Sequence, residues 1–293
     1  MRSESVSRTG SDAGSSCADE QTELRVDLHI HSTASDGSLS PAAVVSAART
    51  GRLHVIAIAD HDTTGGVAEA QAAATGFVHV IPATELSTYG EGAEFHMLGY
   101  FIDPRNDALV AHGRRASGAR ETRMHEMVER LERLGVSVTF EDVLTAAGTR
   151  PQSLGRPHLA RALVQRGHVP TVSDAFDRWI GDQGPAFVPS ALISPWEAIE
   201  MIHGAGGVAV WAHPRPDVLE SMLPAMKSHG LNGLECYRPR LTHAETERIA
   251  ALASAHGLFV TGGSDWHGEW QGRLGEFAVE RDDIAEFLEV GGI

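Results

Sequence analysis

The sequence is poor in cysteine, in basic side chains and in long apolar runs. Its two cysteines, Cys17 and Cys236, are too few for a disulfide framework, so we expect a reducing, cytoplasmic setting. No run of about 18 apolar residues is present, which predicts no transmembrane helix and no membrane partner. Lys and Arg total 24 against 39 Asp and Glu, a net charge of −15. Because a general nucleic-acid binder usually carries a basic face, we expect no long duplex as a partner.

The first residues also lack the pattern of a folded or targeting segment. Residues 1–23 are rich in Ser, Gly, Asp and Glu and contain no apolar stretch typical of a secretory signal. A segment of this composition cannot bury enough apolar surface to fold. We therefore expect a disordered tail over residues 1–23.

The rest of the chain alternates between short apolar runs and amphipathic helical patterns. The alternation covers residues 24–103 and 190–293, whereas residues 104–189 show helical patterns alone and form a predicted insertion. Alternating strands and helices are typical of a parallel α/β architecture. An open doubly wound sheet would fit the pattern, but polar groups at the carboxyl end of almost every predicted strand favour a barrel.

Two histidines stand at the end of the first predicted strand. His29 and His31 follow an alternating run, and residues i and i+2 of a strand face the same side. Two imidazoles projecting together are half of a transition-metal site. Taken alone, this pattern is weak, because polar residues also fall two apart by chance.

Later strands repeat this placement of histidines and acids. Taken singly, each has an ordinary explanation: Asp62 can cap a turn, Glu85 can pair with an arginine, and His96 can be a satisfied core histidine. Their recurrence at one end of the strands is different, because burying so many polar groups without partners is costly, and a metal cluster would satisfy them together. The candidates beyond the first strand are Asp36, His61, Asp62, Glu85, His96, His213, Asp265 and His267.

Five motifs occur in a fixed order along the chain: "DLHIHSTASDGSLSP", "IADHDT", "ATELS", "AHP" and "GSDWH". Together they resemble the motif series of the polymerase and histidinol phosphatase (PHP) superfamily of metal-dependent phosphoesterases. The resemblance implies an α/β fold, a distorted (β/α)7 TIM-like barrel with an inserted small helical domain that caps the substrate. The segment "GRPHLARALV" resembles the subgroup of nucleoside 3′,5′-bisphosphate and 5′-nucleotide phosphatases and 5′-3′ exoribonucleases.

The resemblance also implies ligands for three divalent metal ions. The implied sets are His29, His31, Glu85 and Asp265 for the first ion; Glu85, His96 and His213 for the second; and Asp36, His61 and His267 for the third. Mixed imidazole and carboxylate ligands suit manganese, iron or zinc better than calcium. The family resemblance favours manganese.

The implied reaction is attack of a metal-bridging hydroxide on a 5′-phosphate, while the ions stabilise charge on the phosphate oxygens. Glu85 would bridge two ions, and Asp62, His61 or a metal-bound water could assist proton transfer to the leaving oxygen. Asp27, which precedes His29 on the same strand face, has two open roles. It could orient the His29 ring, or it could serve a structural purpose near the barrel floor.

Cationic side chains near one predicted helix start are candidates for binding the substrate. The segment "GRPHLAR" places Arg156, His158 and Arg161 where a helix N-terminus also attracts anions. Arg215, which follows "HP", could add a phosphate contact at the rim. The alternative for each is an ordinary solvated surface position.

The sequence therefore predicts a hydrolase, a metal-dependent phosphoesterase that removes the 5′-phosphate of a small nucleotide or short oligonucleotide. Two alternatives stay open. One is a phosphatase for another phosphomonoester, such as histidinol phosphate or a cyclic sugar phosphate, although the insertion disfavours histidinol phosphate. The other is a non-catalytic metal-binding or regulatory domain, which the presence of every expected ligand disfavours.

Overall fold

The computed structural model describes residues 24–90, 93–148, 153–189 and 193–293. Within them, one eight-stranded sheet curls into a nearly closed barrel with helices on its outside. The tail predicted over residues 1–23 lies outside the described residues. The α/β barrel expected from the sequence is confirmed.

All seven predicted strands are present, and the structure adds an eighth of two residues, too short to leave an alternating pattern. Neighbours in the sheet follow the order β7-β6-β5-β4-β3-β2-β1-β8. The strands are β1 (Arg25–Ile30), β2 (Val55–Ile58), β3 (His79–Gly90), β4 (Ala93–Tyr100), β5 (Val208–Ala212), β6 (Gly233–Tyr237), β7 (Phe259–Gly262) and β8 (Val279–Glu280).

One strand departs from the expected parallel arrangement. β4 pairs antiparallel with both β3 and β5, whereas β1–β3 and β5–β7 pair in parallel. The cause is the link after Gly90, since two residues can close a hairpin while a parallel crossover needs about a dozen. As a result His96, near the start of β4, pairs with Ser87 near the carboxyl end of β3.

Helices cover the barrel and build the insertion. No helix of the described ranges combines the length and the apolar character needed to cross a membrane. The helices are α1 (Pro41–Thr50), α2 (Val67–Ala73), α3 (Asp107–Arg133), α4 (Phe140–Ala147), α5 (Arg156–Gln165), α6 (Val172–Ala175), α7 (Pro195–Gly204), α8 (Pro216–Ser228), α9 (His243–Ala255) and α10 (Ala285–Val290), with a π-helical turn at Phe176–Ile180.

The insertion has an apolar core separate from that of the barrel. The long helix α3 contributes Met127 and Leu131, which pack in one cluster with Leu159 and Leu163 of α5. Near its start the same helix places Leu109 in a cluster shared with the outer face of the barrel. Helix α3 therefore connects the insertion to the barrel, and the positions of its arginines depend on both cores.

The barrel closes where the chain beyond β7 meets β1. Ile30 and Trp266 form a parallel bridge, in which the Trp266 backbone N donates to His29 O at 3.2 Å. The buried side chain of Asp27 accepts from Ser264 N at 2.9 Å and from Ser264 Oγ at 2.6 Å. Its contact with His29 is to the backbone N, at 3.3 Å. Asp27 therefore stabilises the barrel seam, the junction between β1 and the chain beyond β7. This is a structural role, in place of the alternative role of orienting the His29 ring.

Replacing Asp27 should weaken this seam. Asp27→Ala leaves the partly buried Ser264 amide and hydroxyl without their acceptor, and we expect a loss of about 1–3 kcal/mol in the free energy of unfolding. Asp27→Asn keeps one acceptor oxygen and should lose less. Urea unfolding of the metal-free protein measures both, and an alanine variant as stable as the wild type would contradict this role.

Candidate metal centre

All nine side chains predicted as metal ligands converge at one end of the barrel. Most of them lie at the carboxyl ends of strands or in the segments that follow, whereas Glu85 and His96 lie within the paired strands β3 and β4. Three of these segments contain a non-glycine residue with positive φ: Asp62 at 52°, His213 at 31° and Asp265 at 53°. This conformation is uncommon for such residues, and its concentration around one cluster is typical of a functional site.

The first group is the set implied for the first ion. Glu85 Oε2 lies 3.2 Å from His29 Nε2 and 3.3 Å from His31 Nε2. Asp265 Oδ1 lies 3.4 Å and 3.2 Å from the same two nitrogens. The four ligand atoms therefore face one another across a single small space.

The second group surrounds the other oxygen of Glu85. Glu85 Oε1 lies 2.8 Å from His96 Nδ1 and 3.0 Å from His213 Nε2. The two imidazoles approach each other to 3.2 Å. His61 joins this group as well, since its Nδ1 lies 3.0 Å from Glu85 Oε2.

The third group forms around Asp36. Its Oδ1 lies 3.4 Å from His267 Nε2, and its Oδ2 lies 3.9 Å from His61 Nε2. His31 completes this group, with its Nδ1 3.8 Å from Asp36 Oδ1. The members of each predicted set thus lie close together, and His31 and His61 are shared between groups. Their roles as metal ligands stay predictions.

Buried polar atoms at the cluster lack hydrogen-bond partners within the described part of the chain. They are His29 Nε2, His31 Nε2, Asp36 Oδ1, His61 Nδ1 and Glu85 Oε2. Buried polar atoms in proteins are nearly always satisfied, and these are imidazole nitrogens and carboxylate oxygens facing a common space. This donor set fits divalent metal ions.

The charges of the cluster depend on one another. Burial would raise the pKa of Glu85, but imidazoles around it, His61 and His96 foremost, hold that pKa well below its usual range. Burial would lower the pKa of His31, but Asp265 and Glu85 outweigh it and raise the pKa to about 10. Protonated imidazoles balance the negative charge of these buried carboxylates. Bound metal cations would take that role instead, because metal ligation and protonation compete for the same imidazole nitrogen.

Glu235 is a functional candidate that the sequence analysis missed. This fully buried side chain of β6 places Oε1 2.8 Å from His29 Nδ1. Its Oε2 accepts a hydrogen bond from the His213 backbone N at 2.7 Å. A carboxylate on one ring nitrogen fixes the tautomer that leaves the other free for a metal. The available signal was a lone acid inside the apolar run "GLECY".

Asp62 does not fit the proton-donor role predicted for it. Its carboxylate accepts from Arg120 Nε and NH2 at 2.9 and 2.7 Å, from Ser87 N at 2.9 Å, and contacts His112 Nε2 at 3.0 Å. Burial opposes ionisation, but Arg120 and His112 hold the pKa of Asp62 well below its usual range. Asp62 therefore carries no proton at neutral pH, and its contacts fix the position of Arg120.

A cavity of about 450 Å³, which we call the main cavity, lies between the metal cluster and the insertion. Four arginines line it: the predicted Arg156, Arg238 after β6, and Arg120 and Arg123 of α3. The sequence analysis missed the two on α3 because that helix has the composition of a solvated helix. Glu94 helps to hold two of them, at 3.1 Å from Arg123 NH2 and 3.7 Å from Arg156 NH2.

The other predicted substrate contacts are not among the residues lining this cavity. His158 is buried, its Nδ1 accepts from Gly155 N at 3.0 Å, and burial lowers its pKa to about 4, so the ring is neutral. Arg161 NH1 donates to Asp36 O at 3.1 Å. Arg215 is exposed at the start of α8. A neutral His158 is not a cationic phosphate contact, whereas the roles of Arg161 and Arg215 stay predictions.

Known proteins resemble this chain over most of its length. A 3′,5′-nucleoside bisphosphate phosphatase from Chromobacterium violaceum is 32% identical over 253 residues, 84% of this chain and 88% of the relative. The 5′-3′ exoribonuclease Rnm of Salmonella typhimurium is 32% identical over 262 residues, 87% of this chain and 89% of the relative. The chain belongs to the PHP family of metal-dependent phosphoesterases. No family model matches it.

A solved structure supports the same assignment. A Bifidobacterium adolescentis protein assigned as a metal-dependent phosphoesterase superposes with a TM-score of 0.82 and 37% identity, covering 90% of this chain and 95% of that one. Membership of the family makes this chain a hydrolase, a phosphoesterase that depends on divalent metal. The buried His, Asp and Glu cluster is the candidate site for that metal.

Removing the charge of Glu235 should weaken metal binding without removing a predicted ligand. We expect Glu235→Gln to lower metal affinity by about 10- to 100-fold, because the amide no longer anchors the His29 ring as a carboxylate does. Calorimetric titration of the metal-free protein measures this affinity. Glu289→Gln, at an exposed position, is the matched control. Equal affinities for both variants would rule out this role.

Proposed function

We propose that this phosphoesterase hydrolyses the 5′-phosphate of small nucleotides: nucleoside 3′,5′-bisphosphates, AMP or short 5′-phosphorylated oligoribonucleotides. The observation that carries the proposal is the main cavity, where the metal cluster faces Arg120, Arg123 and Arg156. A phosphorylated substrate larger than one phosphate group can then contact both the cluster and a cationic wall. The names of the two curated relatives point to the same class of substrate.

The nine converging side chains would hold three ions, which we infer to be manganese, with iron or zinc as alternatives. The proposed sets are His29, His31, Glu85 and Asp265; Glu85, His96 and His213; and Asp36, His61 and His267. Divalent ions bound there make water a stronger nucleophile and stabilise the negative charge that develops on phosphate oxygens.

The chain's own side chains orient the substrate. Arg123 donates through Nε to Val188 O at 2.6 Å, and Arg156 donates through NH1 to Asp182 Oδ1 at 2.7 Å. These bonds hold the two guanidinium groups at the wall, where their other nitrogens can bind phosphate oxygens. Trp270 is 41% exposed and lines the same cavity, so its ring offers a surface on which a base can stack.

The predicted domains separate the catalytic part of the chain from the part that covers the substrate. We propose that residues 24–103 and 190–293 form the catalytic barrel and that residues 104–189 form a helical substrate cap. Support comes from the separate apolar core of the insertion and from its three wall arginines, Arg120 and Arg123 on α3 and Arg156 on α5. A cap of this kind limits the size of the substrate at the cluster, in keeping with small nucleotides.

Removal of one ligand should abolish phosphate release. We expect His29→Ala to lower kcat/KM for 5′-phosphorylated nucleotides by at least about 100-fold, because the first ligand set loses an imidazole. The assay compares adenosine 3′,5′-bisphosphate, AMP, a 5′-phosphorylated trinucleotide, histidinol phosphate and a ribose cyclic phosphate. His243→Ala, at an exposed position, is the control. Preference for histidinol phosphate or the cyclic phosphate would overturn the proposed substrate.

Metal removal should act reversibly. After exhaustive chelation and desalting we expect phosphate release to fall below detection, and added Mn²⁺ should restore it because the ligands remain folded in place. Metal analysis of the reloaded enzyme reports how many ions are bound. Full activity in the chelated protein would contradict a metal mechanism, and one bound ion would contradict the three-ion proposal.

A further inference from the structure

A second cavity adjoins the main one at the metal cluster. Its volume is about 440 Å³, and we call it the side cavity. Four residues line both cavities: His213, Arg238, Asp265 and Gln271. Because His213 and Asp265 belong to the cluster, a molecule bound at the cluster has access to both spaces.

The side cavity carries a local excess of cationic groups over free acids. Its arginines are Arg238, Arg240 and Arg273, against the two carboxylates of Asp265 and Glu276. Asp265 lies against the cluster, with Oδ1 3.2 Å from His31 Nε2, which leaves Glu276 to oppose three guanidinium groups. Although the net charge of the chain is −15, the positive potential of these arginines favours binding of a small anion in the side cavity.

Arg238 supplies the second observation. It follows β6 directly and is half-buried. Its Nε is buried without a hydrogen bond in the described residues, and its NH2 reaches Pro214 O at the long distance of 3.4 Å. A buried N–H without an acceptor is costly. A phosphate oxygen would satisfy it, since guanidinium groups bind phosphate with paired hydrogen bonds.

The backbone around Arg240 supports a formed site. Arg240 has a φ of 71°, a left-handed conformation rare for a side chain of this kind, and it follows Pro239 in the turn after β6. The turn places Arg238 and Arg240 on the lining of one cavity. The volume of about 440 Å³ lies within the range of about 300–1,000 Å³ found for small-molecule sites.

We propose that the side cavity binds a second phosphate of an extended substrate, the first phosphodiester of a short 5′-phosphorylated oligonucleotide whose terminal phosphate lies at the cluster. This inference rests on the proposed function and adds to it a site of its own. Arg240 and Arg273 line the side cavity and not the main one. They should therefore act on the longer substrate and leave a mononucleotide unaffected.

The test is the double variant Arg240→Gln/Arg273→Gln, assayed with a 5′-phosphorylated dinucleotide and with AMP in the Mn²⁺-loaded enzyme. We expect kcat/KM for the dinucleotide to fall by at least about tenfold, chiefly through KM, while the value for AMP stays within about twofold. Arg133→Gln, which removes the charge of an exposed arginine at the end of α3, is the matched control.

Two results would overturn the side-cavity proposal: an unchanged kcat/KM for the dinucleotide, or equal losses on the dinucleotide and AMP. Failure of the proposed function looks different, because the wild-type enzyme would then release phosphate from neither substrate. Thermal melting of the double variant beside the control shows whether any loss comes from unfolding.

Discussion

The site depends on the carboxylate of Glu85, which is fully buried in the middle of β3. Five imidazole groups lie within 3.3 Å of its two oxygens: those of His29, His31, His61, His96 and His213. A carboxylate removed from water is tolerated only when positive charge or hydrogen bonds replace the lost hydration. The converging strands supply that compensation and, in doing so, assemble the donor set of a metal cluster.

Two further buried carboxylates support this centre from outside. Glu235 links the His29 ring to the His213 backbone, so two predicted ligands share one anchor. Asp62 holds Arg120 through two hydrogen bonds, so a cavity wall on the insertion is tied to a barrel loop. The insertion and the cluster are thereby positioned by the same set of buried charges.

Sequence reasoning predicted the strands and the side chains that converge in the cluster because both leave local patterns. His29 and His31 share a strand face, and Asp265 and His267 follow an apolar run. The reversal of β4 and the brief β8 leave no such pattern, since direction and pairing depend on the length of a link and on distant partners. Glu235 was missed because a single acid in a strand has no spacing to mark it.

The arginines of the main cavity also show what the sequence alone does not reveal. Arg123 stands on a charged amphipathic helix, and whether such a side chain faces solvent or a cavity is decided by tertiary packing. Arg156 was visible because it follows Gly155 at a helix start. His158 was predicted beside it as a cation, yet burial makes it neutral. Helical spacing identifies which side chains share a face, but it does not reveal the dielectric surroundings of that face.

The seam between β1 and the chain beyond β7 sets the order in which the centre can assemble. Asp27 and Ser264 stand 237 positions apart, and the first proposed ligand set draws on both sides of that seam. A nascent chain emerging from the ribosome would present His29 and His31 long before Asp265 exists. Ion capture at full affinity must therefore wait until the barrel has closed, which makes metal loading a late event in the maturation of this enzyme.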